Sequence, residues 1–154
     1  MVVAPMFTAL ATELGPVTNR PLPRFVSMKA SEANVRRGPS RSHRIDWVFK
    51  HRGMPLVVTA EYGHWRYVQD YDGLGGWVHY AMLSGTRTAL VTEQIVDIRR
   101  RPAMSSPITA RAEQDVVLKI RECAPGWCRV STGGHSGWAP STALWGATEP
   151  DHAD

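Results

Sequence analysis

Long hydrophobic runs are missing from this chain: no stretch approaches the roughly 18 uninterrupted apolar residues that span a bilayer. Long runs of one charge are missing too. Arginines pair at Arg36-Arg37 and gather at Arg99-Arg100-Arg101, which is too short for a nucleic-acid arm. Cysteine is scarce, and two thiols cannot build a structural zinc site without two histidines at suitable spacing. Compact catalytic motifs are absent as well. There is no G-x-S-x-G elbow, and the six histidines (His43, His51, His64, His79, His135 and His152) show no H-E-x-x-H spacing and read as surface residues. Gly73-Leu74-Gly75-Gly76 precedes no helix and is not a phosphate loop. The sequence calls for no metal and no cofactor.

What is present is turn chemistry. Eleven prolines and thirteen glycines in 154 residues favour short strands over long helices. Hydrophobic residues at 43% and charged residues at 21% describe a folded chain, not a disordered one. A net charge of +4 suits an anionic partner, or simply a basic surface. At the start, Met1 to Ala11 is mostly apolar and ends in Ala9-Leu10-Ala11, an A-x-A pattern of the kind a signal peptidase cuts after. No basic residues precede it, and Pro5 interrupts it. Residues 1–23 are therefore read either as a signal-like segment, giving a periplasmic or otherwise exported protein, or as a disordered tail on a cytoplasmic one.

The strongest internal signal is a duplication. Ala33-Asn34-Val35-Arg36-Arg37-Gly38-Pro39-Ser40 matches Val96-Asp97-Ile98-Arg99-Arg100-Arg101-Pro102-Ala103. Trp65-Arg66-Tyr67-Val68 then matches Trp127-Cys128-Arg129-Val130, and Gly76-Trp77-Val78 matches Gly137-Trp138-Ala139. Met82-Leu83-Ser84-Gly85 finally matches Ala143-Leu144-Trp145-Gly146. The offset drifts only from 63 to 61 across these blocks, so the repeat is about 62 residues long.

Within each repeat the hydrophobic period is two. Met54, Leu56, Val58 and Ala60 alternate with Pro55, Val57, Thr59 and Glu61; Val116, Leu118 and Ile120 alternate with Val117, Lys119 and Arg121. One buried and one solvated face is the mark of antiparallel strands. Turns fall at Arg52-Gly53, Tyr62-Gly63-His64, Asp72-Gly73 and Thr132-Gly133-Gly134. The expected fold is all-β, with two tandem small barrels at 24–86 and 87–147 and a tail at 148–154. A domain of this size is marginal alone, burying only about 60% of its unfolded surface. Three tryptophans in each half (Trp47, Trp65 and Trp77; Trp127, Trp138 and Trp145) are expected to compensate, with Trp65 and Trp77 read as core. The short junction Ser84-Gly85-Thr86-Arg87 predicts a semi-rigid pair.

These residues resemble the bacterial SH3 domain family. The opening Asn34-Val35-Arg36-Arg37-Gly38-Pro39-Ser40, the Trp65-x-x-Val68 strand and the Gly76-Trp77-Val78-x-x-x-x-Leu83 ending carry the likeness in the first copy. Asp97-Ile98-Arg99 and Gly137-Trp138 carry it in the second, where Arg101 replaces Gly38 and implies a different turn. The resemblance spans residues 24 to 147 and implies two SH3-like barrels. It also implies an accessory binding module without catalysis, often exported and directed at wall peptides.

Several constellations remain. Cys123 and Cys128 flank the turn Pro125-Gly126 on adjoining strands, where cross-strand neighbours approach disulfide range. A structural disulfide is expected if the protein is exported, and two reduced thiols otherwise. Asp70-Tyr71-Asp72-Gly73 fails as an EF-hand, because position five is Leu74 and position twelve is Ala81, and it reads as a hairpin tip. The ligand-binding candidates are the aromatics Tyr62, Trp65, Tyr67, Tyr71, Trp77 and Tyr80, together with Arg36. The tyrosines have no aromatic counterparts in the second copy, so the two barrels need not bind the same thing. The expected partner is a peptide, an envelope protein or a cell-wall component. Nucleic acid, held through the arginines near Arg36 and Arg99, is the weaker alternative.

Overall fold

The computed structural model describes residues 13–149. The A-x-A motif, His152 and most of the expected tail lie outside the described residues.

Two β-rich repeats follow a short hairpin. The hairpin joins β1 (Glu13–Leu14) to β2 (Pro21–Leu22). The first repeat contains β3 (Arg24–Met28), β4 (Ala33–Arg36), β5 (Ile45–Phe49), β6 (Pro55–Tyr62), β7 (Trp65–Gln69), β8 (Gly75–His79) and β9 (Leu83–Ser84). The second contains β10 (Thr88–Val91), β11 (Ile95–Arg99), β12 (Ile108–Glu113), β13 (Val117–Ala124), β14 (Trp127–Thr132), β15 (His135–Pro140) and β16 (Leu144–Trp145). A single 3-10 turn precedes the last strand of each repeat, at Tyr80–Met82 and Ser141–Ala143.

The duplication read from the sequence is a duplication of topology. The strand orders β5-β4-β8-β7-β6-β3-β9 and β12-β11-β15-β14-β13-β10-β16 are the same order displaced by one repeat. Register agrees as well: Arg36 faces Trp77 where Arg99 faces Trp138, and Trp65 faces His79 where Trp127 faces Pro140. Each sheet curls over one core but does not close into a barrel. Its last strand, β9 or β16, is only two residues long and pairs with one neighbour, so the outer edge of β5 or β12 is left without a ladder partner.

The core is aliphatic. Val35, Leu56, Val58, Val68 and Val78 are fully buried in the first repeat, and Val91, Leu118, Val130 and Ala139 in the second. Trp65 and Trp77, expected in the core, stand half-buried on the outer face, as do Trp127 and Trp138. The alternation requires it, since Trp77 and Val78 are neighbours on one strand and must point to opposite faces. Of the first repeat's tryptophans, only Trp47 packs against the buried cluster.

Two further expectations change. Arg101 in place of Gly38 does not alter the turn. The backbone bonds Arg37–Arg44, Ser40–Gly38 and His43–Ser40 recur as Arg100–Pro107, Ala103–Arg101 and Ser106–Ala103. Gly38 does not adopt a positive φ, so glycine was not needed there for its conformation. Residues 13–22, read as part of a signal-like or disordered segment, form the β1–β2 hairpin, and Leu22 joins the first core.

The repeats touch directly. Phe25 meets Trp145 edge-on with ring centroids 5.0 Å apart, and Tyr71 meets the same tryptophan at 5.7 Å. The Thr88 hydroxyl donates to the Gly53 carbonyl at 2.6 Å, and within the first repeat the Ser27 hydroxyl holds the junction by donating to the Thr86 carbonyl at 2.7 Å.

Candidate functional site

Strand pairing collects most of the predicted aromatics on one face of the first repeat. Tyr62, Trp65 and His79 form one row across β6, β7 and β8, because each faces the next in register. Tyr67, Trp77 and Arg36 form the adjacent row across β7, β8 and β4. Residues two apart on a strand share a face, so the two rows make one surface. Within it Tyr67 meets Trp77 edge-on at 5.5 Å, and Trp65 meets His79 at 5.4 Å. Tyr80 extends the first row by stacking on His79 at 5.0 Å, with His64 lying against both. Tyr71 is not part of this surface. It sits at the tip of the β7–β8 hairpin, at the opposite end of β7 from Trp65, and packs on Trp145.

A cleft of about 270 Å³ opens on this face between Trp65, His79, Asn34, Arg36, Arg41 and Met82. Arg36 shapes it, because its Nη1 donates to the carbonyls of Arg41 and His43 and so pins the loop that carries Arg41 to the rim. Arg99 does the same in the second repeat by donating to the Ser106 carbonyl at 2.8 Å. Both arginines named for the nucleic-acid alternative are thus engaged with loop backbone.

His79 is the polar element of the cleft. Its Nδ1 accepts the Ala81 amide at 3.1 Å, which caps the 3-10 turn and places the proton of the neutral ring on Nε2. Burial, with Arg41, His64 and Arg66 nearby, lowers its pKa below the usual 6.5 and favours that neutral form. The cleft therefore offers a flat indole, one imidazole N–H donor and an exposed arginine at the rim. Such a set suits a ligand with both apolar and hydrogen-bonding parts.

The second repeat lacks this apparatus on the same framework. Pro140 stands for His79, Ser141 for Tyr80, Arg129 for Tyr67 and Ala124 for Tyr62. Bacterial SH3 domain sequences match the chain twice, over residues 29–85 and 92–146, one match for each sheet. The chain belongs to the bacterial SH3 domain family. Among solved structures it is similar to NlpC1 from Trichomonas vaginalis, at 12% identity and a TM-score of 0.37 over 85% of this chain and 48% of that one. It is similar to NlpC2 from Trichomonas vaginalis at 12% identity and a TM-score of 0.36, over 79% of this chain and 47% of that one. The chain thus spans about half the length of each. No curated protein matches it.

In the second SH3 domain, Cys123 and Cys128 face each other across β13 and β14 and form a disulfide. The first SH3 domain carries Glu61 and Arg66 at the same register. The sequence pattern put Glu61 on the solvated face of β6. A register shift between Val58 and Ala60 reverses the alternation and turns its side chain inward, where it is fully buried. There it accepts the Val17 and Thr18 amides, the Thr18 hydroxyl and Arg24 Nη1. Burial alone would raise its pKa, but these bonds outweigh it and hold the carboxyl at about 2. Glu61 is thus the anchor of the N-terminal hairpin. The hairpin tip at Asp70 also behaves as a turn, its carboxylate accepting the Leu74 amide at 2.9 Å. Among the described residues no group of three or more histidine, cysteine or acidic side chains is placed to hold a metal ion, and no helix is long and apolar enough to cross a membrane.

Proposed function

We propose that this protein is an exported, non-catalytic binding module that holds a peptide or peptidoglycan-related envelope ligand on the aromatic face of its first SH3 domain. One observation carries the reading. The two domains share topology, register and core, yet only the first adds Tyr62, Tyr67, His79 and Tyr80 to the shared tryptophans. Framework needs act equally on both copies, so residues confined to one copy's outer face are better explained by a ligand. The disulfide supports export, since such bridges persist in oxidising compartments. The aromatic face is of the kind that takes extended peptides.

Co-sedimentation with purified wall sacculi tests it. Wild-type protein is expected to be retained, and Trp65→Ala combined with His79→Ala to lose about tenfold in affinity while keeping its fold. If wild-type protein is not retained, and no envelope protein co-purifies with it, the reading is wrong.

A further inference from the structure

A second pocket adjoins the aromatic face, on the other side of Tyr80. About 300 Å³ in volume, it is lined by Thr18, Arg20, Arg24, Arg66, Tyr80 and Ser84, among others. Three of these residues precede residue 29, where the family match begins, so the pocket is an elaboration of this chain and not part of the shared SH3 framework. Its charge does not balance. Three arginines meet a single carboxylate, Glu61, leaving a local excess of two positive charges. Glu61 has no capacity left: four donors already fill the roughly four lone-pair positions of its oxygens.

The guanidinium groups have donors to spare. Arg24 is only 14% exposed and donates through Nη1 to Glu61; its Nε is sealed from solvent, and its Nη2 makes no hydrogen bond among the described residues. Arg66 is 9% exposed, with Nη1 on the carbonyls of Gly63 and Trp65 and Nε 3.9 Å from Glu61. Arg20 is exposed at the mouth, and its side chain makes no hydrogen bond among the described residues. Desolvated positive charge is costly unless an anion with matching geometry accompanies it. Burial holds the Arg66 pKa below its usual value, with Arg24 and Arg20 adding to that and Glu61 opposing. Two forked guanidinium donors side by side suit a planar oxyanion taken through paired hydrogen bonds.

We propose that the Arg20–Arg24–Arg66 pocket is an oxyanion site that receives a carboxylate of an acidic peptide lying across Tyr80 into the Trp65–His79 cleft. The inference rests on the wall-ligand reading above and narrows it to a ligand with a free carboxylate. Tyr80 joins the two sites, since it borders the pocket, stacks on His79 and has Arg66 5.9 Å from its ring centroid.

The test has two arms, both on the full chain. In the first, acetate and inorganic phosphate are titrated separately while the arginine Nε–H signals are followed by NMR. Saturable shifts at Arg24 and Arg66 are expected with acetate, weakened about fivefold or more by Arg20→Ala, an exposed change that leaves the Glu61 anchor intact. No saturable shift with either anion overturns the site, and a response to phosphate alone overturns the carboxylate assignment. In the second arm, soluble fragments released from sacculi are used with free carboxyls and after chemical amidation. Amidation is expected to weaken binding to wild-type protein by about the same factor as Arg20→Ala, and to have little further effect on that variant. Binding that ignores amidation overturns this inference and leaves the proposed function standing. Acetate binding without fragment binding keeps the site and removes the wall ligand.

Discussion

Glu61 and Arg66 face each other across β6 and β7 in the register that Cys123 and Cys128 hold across β13 and β14. One framework position therefore carries an ion-paired anchor in the first domain and a covalent bridge in the second. The exchange follows from what lies above the two positions. The N-terminal hairpin covers Glu61, whose side chain is fully buried, whereas Cys123 is exposed at the surface. A covered position can hold a desolvated, fully hydrogen-bonded carboxylate, and an uncovered one gains little from it.

The bridge closes a loop of only a few residues, which limits its entropic contribution. Replacing both Cys123 and Cys128 by serine is expected to destabilise the second domain by about 2 kcal/mol. Chemical unfolding with and without reductant checks this: wild-type protein should fall to the variant's stability on reduction, and the variant should not respond.

Glu61 makes acid stability informative. Its folded pKa of about 2 lies below the ordinary 4.5, so its contribution is fully present above pH 4.5 and is lost as pH falls from 4.5 towards 2. That contribution is up to about 3 kcal/mol. Replacing Glu61 with glutamine should remove this acid-dependent step and release the hairpin, visible as faster amide exchange at Val17 and Thr18. An unchanged acid profile in that variant would show that the carboxylate is not the anchor.

His79 gives a second pH signature of opposite chemistry. Because its folded pKa is depressed, the unfolded chain takes up the proton first, so its contribution is present above pH 6.5 and declines as pH falls below that value. Protonation also removes the Nδ1 acceptor from the Ala81 amide. An NMR titration should place the His79 midpoint below 6.5, with the Ala81 amide moving in parallel; a midpoint at or above 6.5 contradicts the neutral assignment.

Two aromatic contacts between the domains share one ring. Trp145 meets both Phe25 and Tyr71, and Arg87 ties the neighbouring segment down by donating to the Gly146 carbonyl at 2.6 Å. Trp145→Ala should uncouple the pair, so that calorimetry resolves two unfolding transitions where the wild type shows one. A single unshifted transition in the variant would mean that the domains are not coupled through this ring.

The duplication was legible because the residues that repeat are those the fold cannot exchange: the Arg36 and Arg99 loop pins, the paired tryptophans and the Leu56 and Leu118 core. Asp72-Gly73 and the cysteine pair were legible for the same reason, since turn and register chemistry is local. The size of the tryptophans points to the core, but alternation decides their place: Trp65 lies three residues from Val68, and an odd separation on a strand means opposite faces. Glu61 could not be placed from its pattern, because a register shift leaves no mark in hydrophobic alternation. The arginine pocket was hidden with it. Arg20 and Arg24 fall at the edge of a segment with neither period, and only the fold brings them to Arg66.

The central claim is that the first domain, through the face its twin lacks, holds a wall-derived ligand. Backbone and indole chemical shifts of the full chain, recorded while soluble sacculus fragments are added, test it most directly. The account predicts saturable changes gathered at the Trp65 indole N–H, His79 and Tyr80, with Trp127, Pro140 and Ser141 quiet apart from effects relayed through Trp145. Changes confined to the second domain, or none at fragment concentrations that saturate a known wall-binding control, would contradict it.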